Sequence, residues 1–212
     1  VRGLDGFPKV IEVKKLEHER NNFGGIWHSD TTYLPQPPMG SMLYAQVLPP
    51  YGGDTQFANQ YQAYDELSDT MKRILDPLVG ISSSSKADVS KTREDRLKTD
   101  AKDTPSAQLE ARHPVVRTHP ETGRKNLVIG RHAHNIPGMD KQESERFLQE
   151  LADFATGDPR RVYHHDWRVG DALLWDNRRL MHRATPWDYT QRRIMWHSRI
   201  AGDPVSEAAL AA

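Results

Sequence analysis

The sequence contains no cysteine, which excludes disulfide bonds and thiolate metal ligands. It also lacks any apolar run of the roughly 18 residues that a transmembrane helix needs. Its first residues show neither an initiator methionine nor the charged-then-apolar pattern of a signal peptide. These absences predict a cytoplasmic protein without a membrane partner, whose natural start is missing from the chain.

The chain has no excess of charge of either sign, because 29 lysines and arginines balance 29 aspartates and glutamates. A neutral protein has no general electrostatic attraction for nucleic acid or for an anionic membrane, so neither is expected as a partner. A local basic pocket for a small anion is still compatible with this balance. The length of 212 residues predicts one domain over residues 1–212.

What the sequence does contain is a series of short segments, alternating in polarity or rich in β-branched and aromatic residues, that are typical of strands. They cover residues 9–16, 26–33, 42–48, 113–118, 125–130, 162–167, 172–175 and 192–200. One predicted helix is capped by Asn59 and ends before Pro77, and another is capped by Asp140 with Glu143 three residues later. This pattern predicts a mainly β fold with flanking helices, either a β-sandwich or a jelly-roll barrel.

Residues 82–111 form a polar stretch with many charges and little apolar periodicity. A stretch of this length inside a compact domain is usually either a mobile lid or a disordered insertion. We therefore expect this segment to be a flap over an active site or an insertion without a catalytic role.

His28 and Asp30 are separated by one residue, so in an extended strand both side chains leave the backbone on the same side. One more histidine would complete a face of two imidazoles and one carboxylate, which is the arrangement of non-haem iron(II) oxygenases. The pair alone is weak evidence, because a chain with ten histidines places one near a carboxylate by chance. The alternative is two polar side chains on an exposed strand.

His182 is the histidine that could complete such a face, since it follows Met181 in a short apolar strand after a polar turn. A buried imidazole needs partners for its ring nitrogens, and a metal ion is one such partner. The second nitrogen of a metal-bound histidine is normally held by a hydrogen-bond acceptor. The alternative is a hydrogen-bonded histidine in the core.

Four blocks of sequence occur in the same order and spacing as in the taurine dioxygenase / 2,4-D dioxygenase family, which the chain resembles from about residue 27 to residue 203. The blocks are Trp27-His28-Ser29-Asp30, Gly52-Gly53-Asp54-Thr55, Trp175-Asp176-Asn177-Arg178 with His182, and Gln191-Arg192-Arg193-Ile194-Met195. Residues 129–138 and 195–203 look most similar to the branch that cleaves phenoxyalkanoates.

The resemblance implies a double-stranded β-helix that uses Fe(II), 2-oxoglutarate and O2. It implies that His28, Asp30 and His182 bind the metal, and that Arg193 and Thr55 bind the distal carboxylate of 2-oxoglutarate. The planar fork of a guanidinium suits this task, because it can hold a carboxylate through two hydrogen bonds. The resemblance also implies a homo-oligomer, and a family domain whose N-terminal part is absent from this sequence.

His197 is a departure from the sulfonate-hydroxylating relatives, which carry a second arginine at this place. The groups that remain to bind an anionic substrate are Arg131, His132, His197 and Arg199. We therefore expect an aryloxyalkanoate or similar small organic acid as substrate, and an alkyl sulfate or sulfonate as the second choice. Two other classes stay open, namely a zinc hydrolase, which would use the same ligands with a bound water, and a non-catalytic jelly-roll binding module.

Overall fold

The computed structural model describes residues 3–19, 24–86 and 108–211. Its strands are β1 (Gly3–Leu4), β2 (Phe7–Lys15), β3 (Gly40–Val47), β4 (Thr55–Asn59), β5 (Val79–Ser83), β6 (Glu110–Pro114), β7 (Val116–Thr118), β8 (Lys125–Leu127), β9 (Ala133–Asn135), β10 (Val162–His165), β11 (Ala172–Asp176), β12 (Leu180–Ala184) and β13 (Arg193–Ile200). The α-helices are α1 (Gln60–Asp65), α2 (Asp69–Leu75) and α3 (Lys141–Gly157), with short 3-10 turns at Ser84–Lys86 and Pro159–Arg161. None of the helices in these ranges is long and apolar enough to cross a membrane.

The largest sheet has five antiparallel strands in the order β1-β2-β13-β3-β11. The register places Ser41 of β3 between Arg199 of β13 and Trp175 of β11. Because side chains on a strand alternate between the two faces, Leu43 and His197 share the face of these three residues. The inner face of this sheet therefore carries a row of polar groups at one end.

The second sheet has three strands in the order β10-β4-β12. His182 of β12 pairs with Phe57 of β4, and Ala184 pairs with Thr55. The isolated pairing of His28 with His182 adds a fourth backbone segment to the free edge of β12. Two smaller groups complete the described sheets, β6-β5-β9 and the hairpin β7-β8.

The main apolar core lies on one face of the second sheet. Met181 of β12 and Ala58 of β4 are fully buried there, against Leu75, Leu148 and Leu151 of the helices. A smaller cluster around Ala45, Trp167 and Met195 involves the five-stranded sheet. Since residues alternate along a strand, the burial of Met181 among the helices turns His182 to the opposite face.

The helix predicted from Asn59 to Pro77 is two helices. Asn59 caps α1 as expected, accepting hydrogen bonds from the amides of Tyr61 and Gln62. Ser68 then caps α2, because its side chain accepts from the amide of Met71. Asp140 caps α3, as the sequence predicted.

The strand predicted for residues 26–33 is wrong over most of its length. Only His28 pairs with another strand, and the chain turns at Asp30. Thr31 has a φ of 46°, a left-handed conformation that is uncommon for a β-branched residue.

The two ends of the polar stretch 82–111 are ordered, because β5 pairs with β6. Its centre, residues 87–107, lies outside the described residues, so the lid stays a prediction.

Candidate metal centre

Three side chains on two separate parts of the chain converge at the edge of the second sheet. One potential ligand atom from each of His28, Asp30 and His182 lies within 4.8 Å of the other two. The Nε2 atoms of both histidines are 3.8 Å from Oδ1 of Asp30. Two imidazoles and one carboxylate facing a common point form the donor set of a site for a divalent transition metal.

The backbone brings the two histidines together directly. The amide of His28 donates to the carbonyl of His182 at 3.1 Å, and the amide of His182 donates back at 2.8 Å. Residues paired in this way lie opposite each other, and the ring centroids are 4.3 Å apart. Two positions distant in sequence thus become neighbours through one antiparallel bridge.

The outer nitrogens of the two rings are held differently. Nδ1 of His28 lies 2.8 Å from the carbonyl of Ile26, as expected for a metal-binding histidine. Nδ1 of His182 has no hydrogen-bond partner in the described part of the chain, so the acceptor expected from sequence is absent there. The ring of His182 packs instead between Trp175, at 4.8 Å between centroids, and Phe57, at 6.0 Å.

The ionisation states of these groups suit metal binding, because a metal ligand must be deprotonated. Burial opposes ionisation of Asp30, but a hydrogen bond from His197 and the charges of His182, His197 and His28 hold the pKa of Asp30 well below its usual value. Burial lowers the pKa of His182 to about 3, and the charge of His28 acts in the same direction. At neutral pH the site offers a carboxylate and a neutral imidazole.

Asp30 has two further contacts that sequence reasoning did not single out. Ser41 donates a hydrogen bond to its Oδ2, and Asn177 binds its backbone amide and carbonyl. A serine in a strand is ordinary in sequence, so nothing marks Ser41 in advance. Asn177 stands in the Trp-Asp-Asn-Arg block and is marked only by the family resemblance.

Arg193 is a buried cation between the two sheets. Its Nε donates to the carbonyl of Gly53 at 2.9 Å, and its guanidinium lies over the ring of Trp187. No carboxylate in the described chain is within ion-pair distance of it. Burial lowers the pKa of Arg193 to about 10, an effect that Asp54 opposes. A buried, unpaired guanidinium is a ready site for an anion.

Thr55 is the first residue of β4 and lies two residues before Phe57. Phe57 is opposite His182 in the register. Two strand residues correspond to roughly 7 Å, so Thr55 is about that far along the sheet from the level of the metal ligands. Its hydroxyl accepts a hydrogen bond from Nε1 of Trp167 at 2.9 Å and keeps its own proton for a further acceptor.

Three of the four residues predicted to bind an anionic substrate lie around the metal ligands. His132 is buried, with its ring 5.9 Å from that of His28. Nε2 of His197 is 3.5 Å from Oδ2 of Asp30, and Arg199 donates to Thr31 at 3.4 Å.

Arg131, the fourth predicted residue, is directed elsewhere. Its Nε donates to the carbonyl of Lys86. It lines a separate cavity of about 240 Å³ together with Trp27 and His134. The structure thus groups His132, His197 and Arg199 around the three converging side chains, and separates Arg131 from them.

Residues 4–199 match the family described as taurine catabolism dioxygenase TauD, TfdA family. The chain is 49% identical over 197 residues to an (S)-phenoxypropionate/alpha-ketoglutarate-dioxygenase of Sphingobium herbicidovorans, covering 91% of this chain and 67% of that protein. It is 38% identical to an alpha-ketoglutarate-dependent 2,4-dichlorophenoxyacetate dioxygenase of Burkholderia sp. (94% and 65% covered). An alkylsulfatase of Acinetobacter baylyi is 32% identical (98% and 65% covered).

Solved structures show the same likeness. The crystal structure of AAD-2 in complex with Mn(II) and N-oxalylglycine superposes with a TM-score of 0.74 at 34% identity, covering 88% of this chain and 64% of that one. A taurine dioxygenase from Burkholderia xenovorans gives a TM-score of 0.75 at 29% identity, with 99% and 72% covered. The chain spans about two thirds of the length of the curated relatives that it matches.

Proposed function

The chain belongs to the taurine catabolism dioxygenase TauD/TfdA family, and on this premise we propose that it carries the active site of an Fe(II)- and 2-oxoglutarate-dependent dioxygenase. Its substrate in this proposal is a small organic acid, an aryloxyalkanoate whose ether bond is cleaved after hydroxylation. The family membership confirms the resemblance seen in the four sequence blocks. A cytoplasmic location and a homo-oligomeric state belong to the same proposal.

We also infer that the two main sheets form a double-stranded β-helix. Successive segments alternate between the sheets, since β2 lies in the first, His28 at the edge of the second, β3 in the first and β4 in the second. After β10 in the second sheet, β11, β12 and β13 again alternate. Such alternation is typical of a jelly roll, in which two antiparallel sheets are wound from one chain.

His28, Asp30 and His182 would hold the iron, since they are the described side chains that meet with the donor set iron prefers. When bound, ferrous iron and 2-oxoglutarate supply the oxidation, coupling hydroxylation of the substrate to loss of carbon dioxide and formation of succinate. A hydroxyl placed on the carbon that bears the ether oxygen gives a hemiacetal-type product. This product breaks down to a phenol and a carbonyl acid.

Arg193 and Thr55 would bind the distal carboxylate of 2-oxoglutarate. The support is a buried guanidinium that has no acid partner among the described residues and is bonded to Gly53. The hydroxyl of Thr55, two residues after Gly53, lies roughly 7 Å along the sheet from the level of the metal ligands. The observation that carries the whole proposal is the presence of a three-donor site together with a buried cation that has no acid partner in the described part of the chain. A zinc hydrolase gives no account of that cation.

The substrate's own carboxylate would be bound by His132, His197 and Arg199, which lie around the three donors. Arg131 is retained as a weaker member of this set, because its guanidinium is engaged at Lys86. The relatives named for phenoxypropionate and dichlorophenoxyacetate support an aryloxyalkanoate. The alkylsulfatase supports the second choice, an alkyl sulfate, at lower identity.

The test supplies the purified protein with Fe(II), ascorbate and 2-oxoglutarate, together with a panel of aryloxyalkanoates and alkyl sulfates. We expect oxygen consumption and equimolar succinate, with a phenol detected by mass spectrometry for at least one aryloxyalkanoate. His182→Ala, which removes one ligand, should abolish all three signals. Succinate release that persists in His182→Ala would contradict the proposal. Formation of an aldehyde and sulfate from alkyl sulfates, with no phenol from any aryloxyalkanoate, would contradict the proposed substrate.

A further inference from the structure

We propose that Ser41 and Asn177 are positioning residues that fix Asp30 so that it offers only Oδ1 to the metal. The inference rests on the metal site of the proposed function. It concerns how the carboxylate is held, which neither the family match nor the histidine geometry specifies. The two residues act on different parts of Asp30, Ser41 on the side chain and Asn177 on the backbone.

Ser41 holds the oxygen of Asp30 that is not the one nearest to His28 and His182. Oδ1 is the atom at 3.8 Å from Nε2 of both His28 and His182. The hydroxyl of Ser41 donates to the other oxygen, Oδ2, at 2.5 Å, and Nε2 of His197 is 3.5 Å from the same atom. A carboxylate oxygen that accepts a charge-assisted hydrogen bond is restrained from moving toward a cation.

Ser41 is itself rigidly placed. It is fully buried on β3, a strand that is paired on both sides. Trp175 lies opposite it on one side and Arg199 on the other. A hydroxyl fixed in this way can act as a constant restraint, because the surrounding sheet limits the directions in which it can rotate.

Asn177 fixes the backbone of Asp30. Its Oδ1 accepts from the Asp30 amide at 2.7 Å, and its Nδ2 donates to the Asp30 carbonyl at 3.1 Å. The same Nδ2 donates to the carbonyl of Pro38 at 3.0 Å. The side-chain amide therefore replaces a partner strand at the point where pairing ends and Thr31 enters the left-handed region.

The chemical consequence concerns the number of open coordination positions. A carboxylate that binds through both oxygens occupies two positions on the metal, whereas one that binds through Oδ1 alone occupies one. With two imidazoles and one oxygen, three positions stay open for the keto acid and dioxygen. By keeping Oδ2 in a hydrogen bond, Ser41 would thus keep three coordination positions open on the metal.

The experiment measures metal binding by the metal-free protein and needs no turnover. Mn(II) is titrated and free ion is followed by electron paramagnetic resonance, and Co(II) is added separately to record its visible absorption, which reports coordination number. The variants are Ser41→Ala, Asn177→Asp and the control Ser198→Ala. The control removes a serine hydroxyl from the neighbouring strand β13. This hydroxyl donates to the carbonyl of Lys9 and does not contact the metal ligands.

We expect Ser41→Ala to weaken Mn(II) binding by about 10- to 100-fold, the usual effect of losing a group that orients a ligand. Its Co(II) spectrum should also change, while Ser198→Ala matches the unmodified protein in both. Asn177→Asp, which keeps the acceptor and loses the donor, should weaken binding in the same range. If Asn177→Asp fails to fold, Ser41→Ala alone decides the question.

Two outcomes would overturn the inference, and they can be told apart. Unchanged Mn(II) affinity and Co(II) spectrum in a folded Ser41→Ala protein would overturn the positioning role alone. Failure of the unmodified protein to bind Mn(II) would remove the metal site, and with it the proposed function. Thermal unfolding of each metal-free variant provides the check on folding.

Discussion

Arg193 is a buried guanidinium whose positive charge is disfavoured by its removal from water. The shift of its pKa from 12.5 to about 10 reflects the removal of a guanidinium from water. The unfolded chain holds this proton more tightly than the folded chain, so the unfavourable contribution is complete below pH 10 and is relieved only above it. A shift of this size corresponds to about 3 kcal/mol, because one pKa unit is roughly 1.4 kcal/mol. An anionic ligand would offset that cost.

Arg193→Met should separate binding of 2-oxoglutarate from folding. We expect the affinity of the Mn(II)-loaded protein for 2-oxoglutarate to fall by about 10- to 100-fold, since hydrogen bonds to a charged group contribute roughly 1.5–3 kcal/mol. Without 2-oxoglutarate the free energy of unfolding should stay equal or rise, because the change removes a buried charge that no described carboxylate pairs with. Isothermal titration calorimetry and urea unfolding measure the two effects.

Arg192→Met is the matched control for this change. Arg192 precedes Arg193, is exposed, and pairs with Glu17 at 2.9 Å. An exposed ion pair contributes about 0–1 kcal/mol, so neither 2-oxoglutarate affinity nor stability should change much. Equal losses of 2-oxoglutarate affinity in both variants would show that Arg193 has no special role.

At the scale of elements, the metal ligands depend on a loop that passes close behind them. Gly130 follows β8 and has a φ of 110°. A Cβ at this position would be 2.8 Å from Sδ of Met181 and 3.1 Å from the carbonyl oxygen of Trp27. The amide of Arg131, the next residue of this loop, donates a hydrogen bond to the carbonyl of Trp27 at 3.0 Å. Glycine is required here by both conformation and space.

Gly130→Ala should therefore destabilise the fold and disturb the histidine pair together. Its control is Gly123→Ala in the β7-β8 hairpin, where φ is 68° and nothing lies within 4 Å of the added Cβ. Gly123→Ala should cost about 1–2 kcal/mol from backbone conformation alone. Gly130→Ala should cost about 1–3 kcal/mol more from overpacking, with weaker Mn(II) binding. Equal unfolding free energies and equal Mn(II) affinities would contradict this.

The sequence predicted most strands because their patterns are local. Residues 9–16 alternate in polarity and residues 42–48 form a largely apolar run before Pro49, and both predictions fall within one or two residues of β2 and β3. The break between α1 and α2 was missed because tyrosines and leucines keep helical spacing across Ser68. Strand β5 was missed because Ser82 and Ser83 belong to the polar stretch 82–111 and only Val79, Gly80 and Ile81 precede it.

The candidate site was predictable in its ligands but not in their support. His28 and Asp30 were expected on one side of a strand, yet the chain leaves the strand in a turn at Thr31. The sequence did not predict this turn, because residues 26–33 are rich in the aromatic and β-branched residues typical of strands. Sequence spacing cannot reveal that the hydroxyl of Ser41 meets Oδ2, since that contact depends on how two sheets face each other. Long-range contacts of this kind arise only from tertiary packing.

At the scale of the whole molecule, the centre depends on segments far apart in sequence. His28 and His182 form one backbone bridge, and Asn177 binds the backbone of Asp30 across 147 positions. The third sheet joins this assembly through His113 of β6, whose Nε2 lies 3.3 Å from the carbonyl of Leu34, just beyond the turn at Asp30. Stability and site geometry should therefore be lost together when these sheets separate.

His113 should make the metal-free fold sensitive to mild acid. Burial lowers the pKa of His113 to about 4, with the charge of Arg117 acting in the same direction and the carbonyls of Leu34 and Thr32 opposing it. The unfolded chain takes up this proton near pH 6.5, so the stabilising contribution is complete above that pH and is lost as the pH falls toward 4. In urea unfolding between pH 4.5 and 6, His113→Gln should reduce the pH slope of the unfolding free energy by about 1.4 kcal/mol per unit. An unchanged slope in His113→Gln would mean that this histidine is not buried in its neutral form.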